Sequence, residues 1–167
     1  MANCMQAVIG IGSNMGDRLK NINGAVRSLS RLPKTKITAC SHVYETRPVG
    51  YEAQPLFYNA AIIVETELSA QMLLGACLGI EGAYGRVRTI KDGPRVLDLD
   101  LLYEGMKSES FLLTLPHPRI HERAFVMVPL LDLFPSGRAP GLFFLPALHE
   151  IGTDGVERIN EEITLPE

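Results

Sequence analysis

Asp98 and Asp100 stand two residues apart in the run RVLDLDLLY, Arg95 to Tyr103. Side chains two apart on a strand project from one face, so the two carboxylates can converge. Like charges that close repel unless a cation lies between them. A hard cation such as Mg²⁺ takes one or two carboxylates together with phosphate oxygens and water. Taken alone, the pair equally fits a strand whose solvent face is acidic, because Leu97, Leu99 and Leu101 supply a core from the other face. The neighbours extend the pattern: Arg95 stands three residues before Asp98, and GRVRTIKDGPR adds Arg86, Arg88 and Lys91 against the single acid Asp92. Arginine forks match phosphate oxygens bidentately, so carboxylates and guanidiniums together point to phosphoryl chemistry. Without the aspartates, Arg86 and Arg88 read as a solvated charge run.

Other chemistry-bearing residues are less specific. His117 lies between Pro116 and Pro118, with Arg119, Arg123 and Phe125 downstream. By itself it fits a structural loop histidine. Phe57 and Asn59 share a face if they lie on a strand, giving one stacking surface and one polar reader; by themselves Phe57 and Phe125 also fit an ordinary core. GIGSNMG, Gly10 to Gly16, is a strand-to-helix turn whose last glycine spacing is one residue too long for a dinucleotide fingerprint, and no GxxxxGK[ST] loop is present.

These residues need elements to hold them. Gln6–Ile11 is a short apolar run expected to form a strand, and Leu19, Ile22, Val26 and Leu29 then recur at helical spacing before Pro33. Thr35–Val43 is rich in β-branched residues and predicts a second strand. A long loop carrying two prolines and a glycine follows, and Asn59–Thr66 predicts a third strand. Ser69 stands at an N-cap position before Met72, Leu73, Ala76, Cys77, Ile80 and Tyr84 on one helical face. Arg95–Tyr103 is the fourth strand. The order βαββαβ predicts an α+β ferredoxin-like sandwich with helices on one face of an antiparallel sheet and C-terminal additions. The additions begin with a Pro-bounded loop and a short apolar helix, and end in a loosely patterned tail from Ser136.

At 167 residues, 46% of them hydrophobic and 21% charged, the chain fits one domain spanning 1–167 with a buried core. Neither a membrane-spanning run nor a signal-peptide start is visible, so a cytoplasmic location without membrane association is expected. A net charge of −3 argues against nucleic acid. Cys4, Cys40 and Cys77 are far apart, without CxxC spacing, and read as idle or buried thiols.

KDGPRVLDLDLL, Lys91 to Leu102, resembles the signature of the 6-hydroxymethyl-7,8-dihydropterin pyrophosphokinases at every place. IGSNMGD, YETRPVG, FYNAA, GRVR, LPHPR and RAFVMVPL join it in family order over roughly residues 8 to 131. The resemblance implies transfer of pyrophosphate from ATP to the pterin hydroxymethyl group with release of AMP, in folate biosynthesis. It implies two Mg²⁺ ions on Asp98 and Asp100, with Arg86 and Arg95 on the transferring groups. Arg88, His117 and Arg123 would contact ATP, with Glu81 added from the second helix. The pterin would lie between Phe57 and Phe125, its edge read by Asn59 and the backbone around Thr46, Pro48, Val49 and Gly50. The segment Arg86–Gly93 would close as a cationic lid, although Asp92 stands where some members carry a tryptophan. Two other classes share the element order. An RRM-like module lacks its aromatic platforms here, and a ferredoxin-like sensing module leaves Arg95, Asp98 and Asp100 unexplained.

Overall fold

The computed structural model describes residues 4–50, 52–85, 93–104, 108–109, 114–115, 117, 119–139 and 142–166. Strand β1 (Met5–Ser13) leads through the Gly-containing turn into helix α1 (Arg18–Ser30), whose N-cap Asp17 accepts a hydrogen bond from the Lys20 N–H. Strands β2 (Thr35–Cys40) and β3 (Tyr44–Thr46) follow, then β4 (Phe57–Thr66) and helix α2 (Ala70–Ala83), capped by Ser69 as its sequence predicts. Strand β5 (Asp98–Glu104) completes a βαββαβ unit in which β2 and β3 together take the place of the second strand. Two short pairs come later, β6 (Ser108–Glu109) with β7 (Thr114–Leu115) and, after helix α3 (Ala124–Leu133), β8 (Arg138–Ala139) with β9 (Leu142–Phe143). Helix α4 (Leu145–Ile151) and strand β10 (Val156–Arg158) end the fold.

The main sheet runs β10-β3-β4-β1-β5, with β2 also on β4, and every pairing is antiparallel. This is the ferredoxin-like arrangement. The expected second strand is split: Ser41 leaves the ladder, exchanging N–H and Oγ contacts with Ala61, and β3 resumes against the start of β4.

Alternation divides the core into two layers. Ala7, Ile9, Ile11, Ile62, Leu99 and Leu101 face α1 and α2, meeting Ile22, Val26, Leu29, Leu73 and Cys77. Val8, Ala61, Ile63 and Leu102 face the other way and meet Ile120, Met127, Leu130, Phe144 and Leu148. Helices α1 and α2 thus share one face as expected, while α3 and α4 of the C-terminal additions cover much of the second face, because that face is itself apolar away from its polar end. Cys77 is fully buried, and burial followed by the nearby Glu81 and Asp100 charges pushes its thiol pKa up to about 12, so it is inert near neutrality.

Candidate active site

Asp98 and Asp100 open β5 and point to the second face, since their neighbours Leu99 and Leu101 point to the first. Directly across on β1 are Gly12 opposite Asp98 and Gly10 opposite Asp100. Gly12 is in turn opposite Asn59 of β4, and Asn59 is opposite Tyr44 of β3. The row Asp98, Gly12, Asn59 thus crosses three strands with no side chain at its centre, leaving a trough between a carboxylate and an amide. The lack of a side chain matters, because a Cβ on Gly12 would stand 2.8 Å from Asn59 Oδ1.

On the amide side, Asn59 Nδ2 donates to Thr46 Oγ1 at 2.6 Å, which fixes the orientation of the Asn59 carbonyl over Gly12. Thr46 is buried and so acts here through its hydroxyl, beyond the backbone role expected of it. Phe57 shares the face of Asn59 and passes within 3.7 Å of the same Gly12 Cβ position. Val49 is exposed, and Gly50 takes the positive φ of 86° that a turn needs there and a side chain disfavours. Phe125 sits in the first turn of α3 on the second-face core, with the Arg123 guanidinium 5.7 Å from its ring centre.

On the carboxylate side, Arg95 Nη1 stands 3.5 Å from Asp98 Oδ1. His117 is tied to β5 through its N–H on the Leu102 carbonyl at 2.7 Å. Burial, then the positive charges of Arg123 and Arg119, holds its pKa below the ordinary histidine value, against a smaller opposing pull from Asp98. The Arg119 N–H points at His117 Nδ1, so the neutral ring carries its proton on Nε2. The donor set fits a hard cation: two carboxylate groups on one face, beside a gap, with no thiol. No cluster of three or more ionisable ligand side chains occurs among the described residues.

Glu81 stands on the helix that packs against β5. It is buried on α2, and its carboxylate accepts the Leu99 N–H at 2.8 Å. This contact supports the strand between the two aspartates. Arg86, Arg88, Lys91 and Asp92, and with them the lid, lie outside the described residues, as do Pro116 and Pro118.

Sequence reasoning missed the residues that brace the site. Asn14 and Asn21 are the chief ones. Asn21 Nδ2 reaches Ser13 Oγ, Met15 O and Val96 O, and Asn14 binds both Arg95 and the loop before β4. Arg18 adds a second brace on that loop, donating to Glu45 Oε2 and Leu56 O while stacking 3.7 Å from the Tyr58 ring centre. A polar residue just after an apolar run was the available signal, read only as a turn.

The family model described as 7,8-dihydro-6-hydroxymethylpterin-pyrophosphokinase matches residues 8–135. A 2-amino-4-hydroxy-6-hydroxymethyldihydropteridine pyrophosphokinase of Methylorubrum extorquens is 43% identical over 155 residues, covering 92% of this chain and 98% of that protein. The protein of the same name from Bacillus subtilis is 42% identical over 76% of this chain and 77% of its own length. Among solved structures, wild-type Plasmodium falciparum HPPK-DHPS with pterin and p-hydroxybenzoate superposes with a TM-score of 0.68 at 15% identity, over 93% of this chain. The present chain spans 46% of that longer chain, and at this identity the likeness speaks for the fold.

Proposed function

The chain belongs to the 7,8-dihydro-6-hydroxymethylpterin-pyrophosphokinase family, whose members transfer pyrophosphate from ATP to hydroxymethyldihydropterin in folate biosynthesis, and we propose that it does so across the Gly10–Gly12 trough. The row Asp98, Gly12, Asn59 carries this reading. Two strand spacings, about 10 Å, separate a carboxylate suited to metal-bound phosphate from an amide suited to a pterin edge.

On this reading Asp98 and Asp100 would hold two Mg²⁺ ions, which would supply the positive charge that neutralises the phosphate chain. Arg95 and Arg86 bind the transferring pyrophosphate, and Arg88, His117 and Arg123 bind ATP. Phe57 and Phe125 enclose the pterin ring, while Asn59 and the segment of Thr46, Pro48, Val49 and Gly50 read its edge. The hydroxymethyl oxygen then attacks the β-phosphorus in line. One O–P bond forms there, the bond from the β-phosphorus to the oxygen bridging to the α-phosphate breaks, AMP leaves and the hydroxyl proton passes to solvent. No covalent enzyme intermediate is needed, so the residues work by alignment and charge compensation, and alignment alone can supply about 7–11 kcal/mol. Both apolar layers share one sheet, which supports a single domain over 1–167. Among the described residues no helix is long and apolar enough to cross a membrane.

Asp98→Ala and Asp100→Ala should each lose most turnover while keeping a cooperative melt. Normal turnover by either at limiting Mg²⁺ would refute the metal assignment. Phe125→Ala should weaken pterin binding in calorimetry far more than ATP binding, and an equal loss of both would remove Phe125 from the pterin site.

A further inference from the structure

Asn14 is 2% exposed at the end of β1, and its backbone and side chain join three segments that are distant in sequence. Its backbone N–H donates to the Arg95 carbonyl at 3.0 Å, and its Oδ1 accepts the Arg95 N–H at 2.7 Å, so Arg95 is held through both of its backbone polar groups. Its Nδ2 donates to Gln54 Oε1 and to the Pro55 carbonyl, each at 2.9 Å. The orientation of the amide is forced. The Arg95 N–H can only donate and the Pro55 carbonyl can only accept, so no flip of the Asn14 amide satisfies both. Pro55 lies near the end of the loop that begins after Thr46, two residues before Phe57 and four before Asn59. One buried side chain therefore sets the root of the guanidinium beside Asp98 and the root of the aromatic wall across the trough.

We propose that Asn14 is a positioning residue for the transfer, fixing the separation between the phosphate-binding Arg95 and the pterin-binding Phe57 and Asn59. The proposal rests on the site reading above. In-line transfer depends on that separation, since a misplacement of about 1 Å lowers the rate roughly 100-fold. The two ends of the amide have separable duties: Oδ1 serves the phosphate side and Nδ2 serves the pterin side. No other residue type supplies an acceptor and two donors in so short a side chain.

The separation of duties gives the test. Asn14→Asp keeps an acceptor for the Arg95 N–H and sets a carboxylate against the Pro55 carbonyl, so it releases only the pterin side. Asn14→Ala releases both. We expect Asn14→Asp to raise the pterin KM about tenfold and to lower kcat at least tenfold, with the ATP KM within twofold of the parent. Asn14→Ala should raise both KM values and lower kcat about 100-fold. Gln54→Met, at a half-buried site, breaks the same pterin-side bond from its other end and should raise the pterin KM a few-fold without changing the ATP KM; it carries the test if the Asn14 variants do not fold. All kinetics are read well below each variant's melting temperature. If melting alone shifts, with KM and kcat within twofold of the parent, Asn14 merely holds the fold and the proposal is wrong. If Asn14→Asp or Gln54→Met changes both KM values equally, the division of duties is wrong. Phe57→Ala and Arg95→Ala measured alongside separate the two failures, because normal turnover in those variants would overturn the site reading itself.

Discussion

At Gly12 the structure makes one hydrogen atom consequential. Its neighbours across the sheet are Asp98 and Asn59, and the Asn59 carbonyl occupies the space a methyl would need. Gly12→Ala should therefore turn the Asn59 amide away from Thr46, raising the pterin KM roughly tenfold while costing only about 1 kcal/mol of stability, because the obstructing group is the tip of a side chain. Steady-state kinetics beside a denaturant melt separate the two effects. His117 gives a pH dependence of known sign. Its folded pKa lies below the ordinary 6.5, chiefly through burial, so the unfolded chain takes up a proton first as the solution is acidified. Its contribution to stability is complete above pH 6.5 and is lost as pH falls from there toward the folded pKa. Melting temperature recorded between about pH 5 and 8 should fall on the acid side, and His117→Asn should flatten that part of the profile. The shared face of Asp98 and Asp100 was legible from spacing because strand alternation fixes their direction. Asn14 was not, because its role depends on bonds to residues 40, 41 and 81 positions away that no local pattern encodes.

Glu81 shows how an element serves the site at second hand. Helix α2 carries no other charged residue, yet it delivers one buried carboxylate to the Leu99 N–H, between Asp98 and Asp100. Glu81→Gln retains an acceptor there and should leave ATP KM unchanged. Glu81→Leu leaves the N–H without that acceptor and should destabilise the fold by about 1–3 kcal/mol, with kcat falling as β5 loosens. A rise in ATP KM in the Gln variant would instead place Glu81 at the nucleotide. The regular elements were readable within a few residues: α1 from its apolar spacing, α2 from Ser69, and β1, β4 and β5 from apolar runs. The division of the expected second strand was hidden, because the β-branched pattern of Thr35–Val43 gives no warning that Ser41 will bond Ala61 through its side chain. The loop before β4 was recognised by its prolines, while its bracing by Arg18 and Asn14 was set by tertiary contact.

Across the whole molecule, the tail that looked unpatterned closes the structure. It supplies Ile163 to the helix-side core, bonds Thr164 N–H to Asn23 on α1, and adds β10 beside β3. Its pattern was unreadable because each stretch is too short to show a period and finds its partner far along the chain. On the way it clasps the entrance to the proposed pterin loop: the Arg47 N–H donates to the Gly155 carbonyl, and the Arg47 guanidinium pairs with Asp154 at 2.7 Å. That ion pair is exposed and contributes little on its own. The geometry around it is stricter. Gly155 has φ of +79°, where a side chain costs about 1–2 kcal/mol, and a Cβ there would collide with the Arg47 guanidinium. Gly155→Ala should thus displace Arg47 and unsettle Pro48, Val49 and Gly50 while leaving Asp98, Asp100 and Arg95 in place. The expected outcome is a loss of about 1–2 kcal/mol in a denaturant melt, with the pterin KM raised several-fold and the ATP KM unchanged. Asp154→Ala removes the ion pair without the collision and should change neither KM by more than about twofold. If the two variants behave alike, with both KM values at the parent level, the tail closes the fold without governing the pterin loop.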